Sequence, residues 1–319
     1  MEAIEKHVDA MTLPILPTAP PIQSGALLLF GVQHWIVGFV ALMCLHALCY
    51  FLVTTVLSDS SRFAELKSDP TLAAHVLPQF VAFAVAAYLG ATFWFYGMPK
   101  ASTVSIASYV PEGEIIASMM ISFQLYELLM CIPSRVRAPA AFSVFFFRAI
   151  AHGTPLAEPP VASLRRQKLR GPSYEFLMHH ATALLLAVLA YYYQAFLYFC
   201  PGFMGVPELS SLPLAFLDLF KYFPKIRDHF PNTNELVRNV FAVAFLCFRA
   251  VYWPVCSIAF WRTALPALAA DAPTLLPAPV LYTFLVCNVT MTGLQWFWSS
   301  IILKAIYAKL SGDPKHKEA

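Results

Sequence analysis

The sequence predicts an all-α fold: a polytopic membrane helix bundle of about seven transmembrane segments. Three observations point there. Hydrophobic residues make up 59% of the chain and charged residues only 12%, against about 25% charged in soluble domains. Mean hydropathy is +0.64. Several apolar blocks reach the roughly 20 residues that a helix needs to cross a bilayer. A net charge of +3 gives no electrostatic footprint for a nucleic-acid partner. The seven cysteines include no C-x-x-C pair, so a disulfide framework or a zinc site is not expected.

Residues 1–24 read as a lumenal tail. They open with Glu2, Glu5 and Asp9 and continue with Pro14, Pro17, Pro20 and Pro21, unlike the basic start and unbroken apolar core of a secretory signal. The first span, about Gly25 to Leu57, therefore acts as its own anchor within residues 25–65. The second runs from Ala73 to Met98 and the third from Ile115 to Ile132. Ala140–Ile150 is apolar but too short to span; with Phe145, Phe146 and Phe147 it reads as an interfacial helix. The fourth span is Tyr174–Cys200, and a short, proline-broken fifth covers Pro207–Phe223. The sixth is Leu236–Trp261 and the seventh Pro277–Tyr307. If the fifth is re-entrant, the count is six.

Charge orients these spans. Between spans three and four lie Arg135, Arg137, Arg148, Arg165, Arg166, Lys168 and Arg170 against one acid, Glu158. Excess Lys and Arg marks the cytoplasmic side. Arg62 and Lys67, Lys225 and Arg227, and Lys304 and Lys309 fall on the same side. That places the tail, residues 310–319, in the cytosol. Its Lys315 and Lys317, fifth and third from the end, resemble the dilysine retrieval signal of endoplasmic reticulum membrane proteins, which a cytosolic coat reads. An ordinary basic flank is the plainer alternative.

Polar groups within the apolar runs are the candidate site. His179 and His180 stand at the head of the fourth span. Titratable rings there are costly in hydrocarbon and by default mark a cavity, although interfacial rings bonded to headgroups have the same pattern. Helical spacing puts Glu175, His179, Thr182 and Leu186 on one stripe and turns His180 about 100° away, toward Phe176 and Leu184. A carboxylate one turn before His179 can fix its tautomer and raise its basicity, suiting it to act as nucleophile or general base. His180 then supports it by packing. Arg249, in the run FLCFRAVYWP, lies too deep to snorkel easily and costs about 2.5–3.5 kcal/mol to insert. It is expected to face the bundle interior and meet an acid, Glu208 or Asp218, or an anionic ligand. Prolines 207, 213 and 224 break the fifth span. Irregular backbone at membrane depth is tolerated only inside protein or beside a cavity, so Glu208, Ser210 and Ser211 are expected to share the histidines' cavity. Asn288 and Gln295 read as interhelical bonds, and Trp296 and Trp298 as an interfacial belt.

The ordered set of HHAT (His179, His180, Ala181, Thr182), the aromatic-rich helix after it, ELSSLP, FRAVYWP and LQWFWSSII resembles the TLC-domain proteins. These are the ceramide synthases, the translocation-associated membrane proteins and the ceroid-lipofuscinosis group. The resemblance covers roughly Leu66 to Lys309 and implies a TLC-like membrane domain over 66–309. In ceramide synthases the histidine pair is followed by two close aspartates and then a glutamate. By that analogy His179 carries or activates an acyl group taken from acyl-CoA. Here Glu208 stands at the first aspartate, Ser211 at the second and Ala215 at the glutamate, and the synthase arginine before them is not evident. ELSSLP looks more like the non-synthase branch, whose members are linked to lipid homeostasis and trafficking.

The expectation is therefore a multi-pass membrane protein of the endoplasmic reticulum that binds, senses or remodels a lipid or acyl chain. Glu175, Thr182, Glu208, Ser211 and Arg249 would contact the lipid; His179 and His180 would be catalytic if there is a reaction. No metal and no cofactor are expected, with acyl-CoA a substrate if the protein is an acyltransferase. A homodimer and a coat protein on the tail are the expected protein partners. The alternatives are an acyl-CoA-dependent N-acyltransferase and a cargo receptor of the early secretory pathway. A di-iron desaturase needs clustered histidines, and here the other seven are scattered along the chain.

Overall fold

The structure is a computed structural model that describes residues 26–27, 32–57, 63–97, 104–135, 174–269 and 276–311. The interfacial helix expected at 140–150, the basic stretch beyond Arg135 and the dilysine-like tail lie outside the described residues.

The fold is all-α apart from a two-residue antiparallel pairing of Ala26–Leu27 with Val32–Gln33. Nine helices follow among the described residues. Helix α1 is His34–Thr55 and α2 is Pro70–Ala91. The start of α2 is fixed by Asp69, whose Oδ1 accepts from Leu72 N at 3.0 Å, with Pro70 in the first turn where no N–H is needed. Helix α3 is Pro111–Arg135 and α4 is Tyr174–Tyr193. Then come α5 (Ser211–Tyr222), α6 (Pro224–His229) and α7 (Pro231–Phe245). A wide i→i+5 turn, Leu246–Tyr252, joins α7 to α8 (Trp253–Ala269), and α9 is Ala278–Leu310.

Five helical runs are long and apolar enough to cross a membrane: α1, α2 with its extension to Phe95, α4, α7 continued through α8, and α9. The chain from Leu197 to Leu209 and α5 meet at a 41° bend and would make a sixth, as a broken span or a re-entrant loop. The sequence left the same choice open for its fifth segment. Helix α3 lies inside, packed on α1, α2 and α4; Ile116, Ala117, Phe123 and Tyr126 are fully buried on it.

The fourth span is shorter than expected. Instead of running to Cys200, α4 stops at Tyr193, and Gln194 and Phe196 take left-handed φ values of 50° and 58°. No glycine marks this reversal. Strain of about 1–3 kcal/mol at such a residue persists only where packing fixes it, and Phe196 is wedged between Phe260 and Phe284, each ring 4.9 Å away. The chain then re-enters the bundle as short helical turns through Pro201 and Pro207. Gly205 of this piece meets Gly90 of α2 backbone to backbone.

A smaller apolar cluster of Val53, Leu66, Phe220, Phe223 and Ile226 closes one end of the bundle. There Glu65 Oε2 accepts from Lys225 N and Ile226 N, at 2.7 and 3.2 Å, and so caps α6. At the same end Lys309 of α9 pairs with Glu235 of α7.

Candidate functional site

The re-entrant piece creates a cavity. It is bounded by α3, α4, the re-entrant turns, α8 and α9. From α4 come His179, Ala183, Leu186 and Ala190, spaced for a single helix face about 16 Å long. Phe196, Phe260 and Phe284 close the far part, and Gln124, Glu208 and Arg249 add polar groups to the wall. The cavity volume is about 70 Å³. One water needs roughly 10–15 Å³ by the same measure, so the space is narrow, suited to a single file of methylene-sized groups rather than a ring system.

Arg249 sits on the wide turn before α8. Pro254 has no N–H to give to Ala250, and the helix widens just ahead of it. The guanidinium is buried and all three of its nitrogens are engaged. Nε donates to Ser210 Oγ at 2.8 Å, Nη2 to Ser211 Oγ at 2.8 Å and Nη1 to Gln295 Oε1 at 3.4 Å. Glu208 Oε1 lies 3.7 Å from Nη2, so the acid beside Arg249 is Glu208. Asp218, the other candidate, lies farther along α5 within the electrostatic reach of His75, Glu127 and Lys221. A charge pair with this many hydrogen bonds can persist at membrane depth. It also leaves Arg249 with little capacity for a second anion.

The two histidines differ in their surroundings, as their 100° separation requires. His179 faces the cavity; its Nδ1 is shielded from solvent and has no hydrogen-bond partner among the described residues. Its ring packs edge-on against Trp298 at 5.3 Å, so Trp298 is an inner residue rather than a belt residue. Trp296, 59% exposed, does look outward. His180 is buried behind the wall. Its Nδ1 is 2.5 Å from Gln124 Oε1, and its ring lies on Phe176 at 4.0 Å.

The expected stripe is partly displaced. Glu175 and Thr182 are not among the residues that line the cavity, and Ala183 and Ala190 take the places on the inner face. Asn288 and Gln295 bond between helices as expected: Trp261 Nε1 donates to Asn288 Oδ1 at 2.9 Å, and Asn288 Nδ2 reaches Ser257 Oγ at 3.3 Å. Asn288 also lines the cavity.

Beside this site lies a buried polar chain that sequence reasoning missed. The Tyr126 hydroxyl is 2.8 Å from both His46 Nδ1 and His75 Nδ1. His75 Nε2 in turn lies 3.2 Å from Glu127 Oε1, and Glu127 is within electrostatic reach of His180. Each member is an ionisable group inside an apolar helix, and that was the available signal. Among the described residues, no three His, Cys, Asp or Glu side chains group in a way that could hold a metal ion.

No curated protein and no solved structure matches the chain. A family comparison does: residues 31–304 match the TLC domain. That match takes in the first four apolar runs and most of α9, the re-entrant piece, the histidine pair and Arg249, and the chain belongs to the TLC-domain family.

Proposed function

We propose that this membrane protein takes a single acyl chain of a lipid into the cavity, with His179 at the chain's polar end, and acts in lipid homeostasis. One observation carries the reading: His179 lines a narrow space walled by phenylalanines, and its buried Nδ1 has no hydrogen-bond partner among the described residues. A buried nitrogen of that kind is costly unless a ligand meets it. The apolar walls suit a hydrocarbon chain. The Arg249–Glu208 pair balances its own charge, so an uncharged or hydrogen-bonding head fits better there than a phosphate. The dilysine-like tail supports residence in the endoplasmic reticulum membrane.

The test is His179→Ala, with comparative lipidomics of cells carrying either form. The expected result is normal insertion and abundance with a changed lipid profile and loss of co-purifying acyl chains. Unchanged profiles at normal abundance would refute a histidine-centred site.

A second reading is an acyl-CoA-dependent N-acyltransferase, favoured by the same unpartnered nitrogen on a ring that lines the cavity together with Glu208. Attack on the thioester carbonyl would form an acyl-imidazole and release the CoA thiol; an amine would then take the acyl group and restore His179. Mass spectrometry of the intact protein with acyl-CoA separates the readings. A covalent acyl adduct on His179 belongs to the transferase, and intact, dissociable lipid belongs to the binder.

A further inference from the structure

A second concavity lies on the outer side of α8 and α9, with Asn288 as the residue common to it and to the central cavity. Its volume is about 560 Å³, within the roughly 300–1,000 Å³ of typical ligand clefts. Its floor is Gly293, where a Cβ would meet no atom within 4 Å. Ile258, Leu265 and Val289 form its walls and are each about half exposed or more. Both helices belong to runs long and apolar enough to cross a membrane, and apolar exposure of this kind suits hydrocarbon.

Arg262 breaks the pattern. It lines the same groove and is exposed on α8, with about 10 Å of helix between it and Ala269. Among the described residues no carboxylate pairs with it, in contrast to the fully engaged Arg249. A guanidinium on the lipid face of a membrane helix must reach toward the interface or find an anion. Its planar fork matches the oxygens of a phosphate.

We propose that the α8–α9 groove binds one phospholipid, with its phosphate on Arg262 and an acyl chain laid over Gly293. The site is separate from the central cavity and stands whether or not that cavity takes lipid. A second copy of the chain is a poorer occupant. Two-fold docking on this face would bring both Arg262 side chains into one desolvated interface, and the groove offers no acid to pair with either.

The test uses the full-length protein in maltoside micelles, with native mass spectrometry after adding phosphatidylglycerol or a diacylglycerol with the same chains. Phosphatidylglycerol is expected to stay bound and the diacylglycerol to be lost. Arg262→Gln should weaken retention about tenfold, the loss of one charge-assisted bond. A Cβ at Gly293 meets no atom within 4 Å, so Gly293→Leu projects into the groove and should abolish retention, with thermal stability at or slightly above that of the wild type. Equal retention by both variants and the wild type would overturn the proposal, as would equal binding of the diacylglycerol. A wild-type dimer that Gly293→Leu converts to monomer would also overturn it, by assigning the groove to a second copy.

Discussion

His75 Nε2 lies 3.2 Å from Glu127 Oε1 in the interior of the bundle. Glu127 is 2% exposed, so its carboxylate depends on this ring for compensation. Removing the carboxylate leaves His75 Nε2 buried without this partner, and an unsatisfied buried polar group costs about 1–3 kcal/mol. We expect Glu127→Ala to lower thermal stability in detergent by that order. The Glu127→Ala, His75→Ala double variant should be less destabilised than the sum of the singles, since the two groups share one interaction. Strict additivity in the thermal melts would show that they act independently.

Arg249 ties together three pieces of chain: the re-entrant turns through Glu208 and Ser210, the start of α5 through Ser211, and α9 through Gln295. Arg249→Leu leaves Glu208 buried without its counter-charge and three acceptors without their donor. A loss of about 3–5 kcal/mol is expected, read as reduced abundance and a lower melting temperature. Adding Glu208→Gln to Arg249→Leu should recover part of that loss, because a neutral amide is cheaper to bury than a lone carboxylate. Wild-type stability of the single variant would mean that the pair contributes nothing to the fold.

The residues legible in the sequence were those whose chemistry is expensive in an apolar run. Arg249, His179 and Glu208 could each be singled out without any knowledge of neighbours, because a charge or ring at membrane depth demands a partner. What the sequence could not supply was the neighbourhood. Tyr126 and Glu127 meet His46 and His75 only because α3 packs on α1 and α2, and no local pattern encodes which helices touch. The early end of α4 was hidden for another reason. Gln194 and Phe196 adopt left-handed backbone with no Gly or Asn to announce it, and the conformation is held by the ring packing of Phe196. The cavity face of α4 runs from His179 through Ala183 and Leu186 to Ala190, in place of the expected Glu175–Thr182 stripe.

Tyr109, in the connection before α3, donates its hydroxyl to Glu114 Oε2 at 2.7 Å. That bond, together with partial burial and the nearby negative charge, pushes the phenol's pKa up to about 12. The folded value lies above the unfolded one, about 10. The contribution to stability is therefore complete below about pH 10 and is lost as pH rises through about 12. Tyr109→Phe lacks the titrating group. Unfolding measured at about pH 9 and about pH 12 should show a larger alkaline loss in the wild type than in Tyr109→Phe. Equal losses would mean that the bond does not form in the folded protein.

The contact of Gly205 with Gly90 predicts a sharp difference between two glycines. A Cβ on Gly205 would fall 2.5 Å from Gly90 Cα and 2.9 Å from the Ala86 carbonyl oxygen. These are backbone atoms that no rotamer change can move. Gly205→Ala must therefore push the re-entrant piece off α2, at about 1–3 kcal/mol or more for overpacking. The push is transmitted three residues on to Glu208, moving it relative to Arg249. Loss of stability and loss of bound acyl chain should appear together. Gly293→Ala is the counterpart, because its Cβ meets nothing within 4 Å and it sits inside α9. Replacing a mid-helix glycine by alanine gains about 0.5–1 kcal/mol, so this variant should melt slightly higher than the wild type. If Gly205→Ala melts with the wild type, the re-entrant piece does not press on α2 and the cavity wall is not built as described.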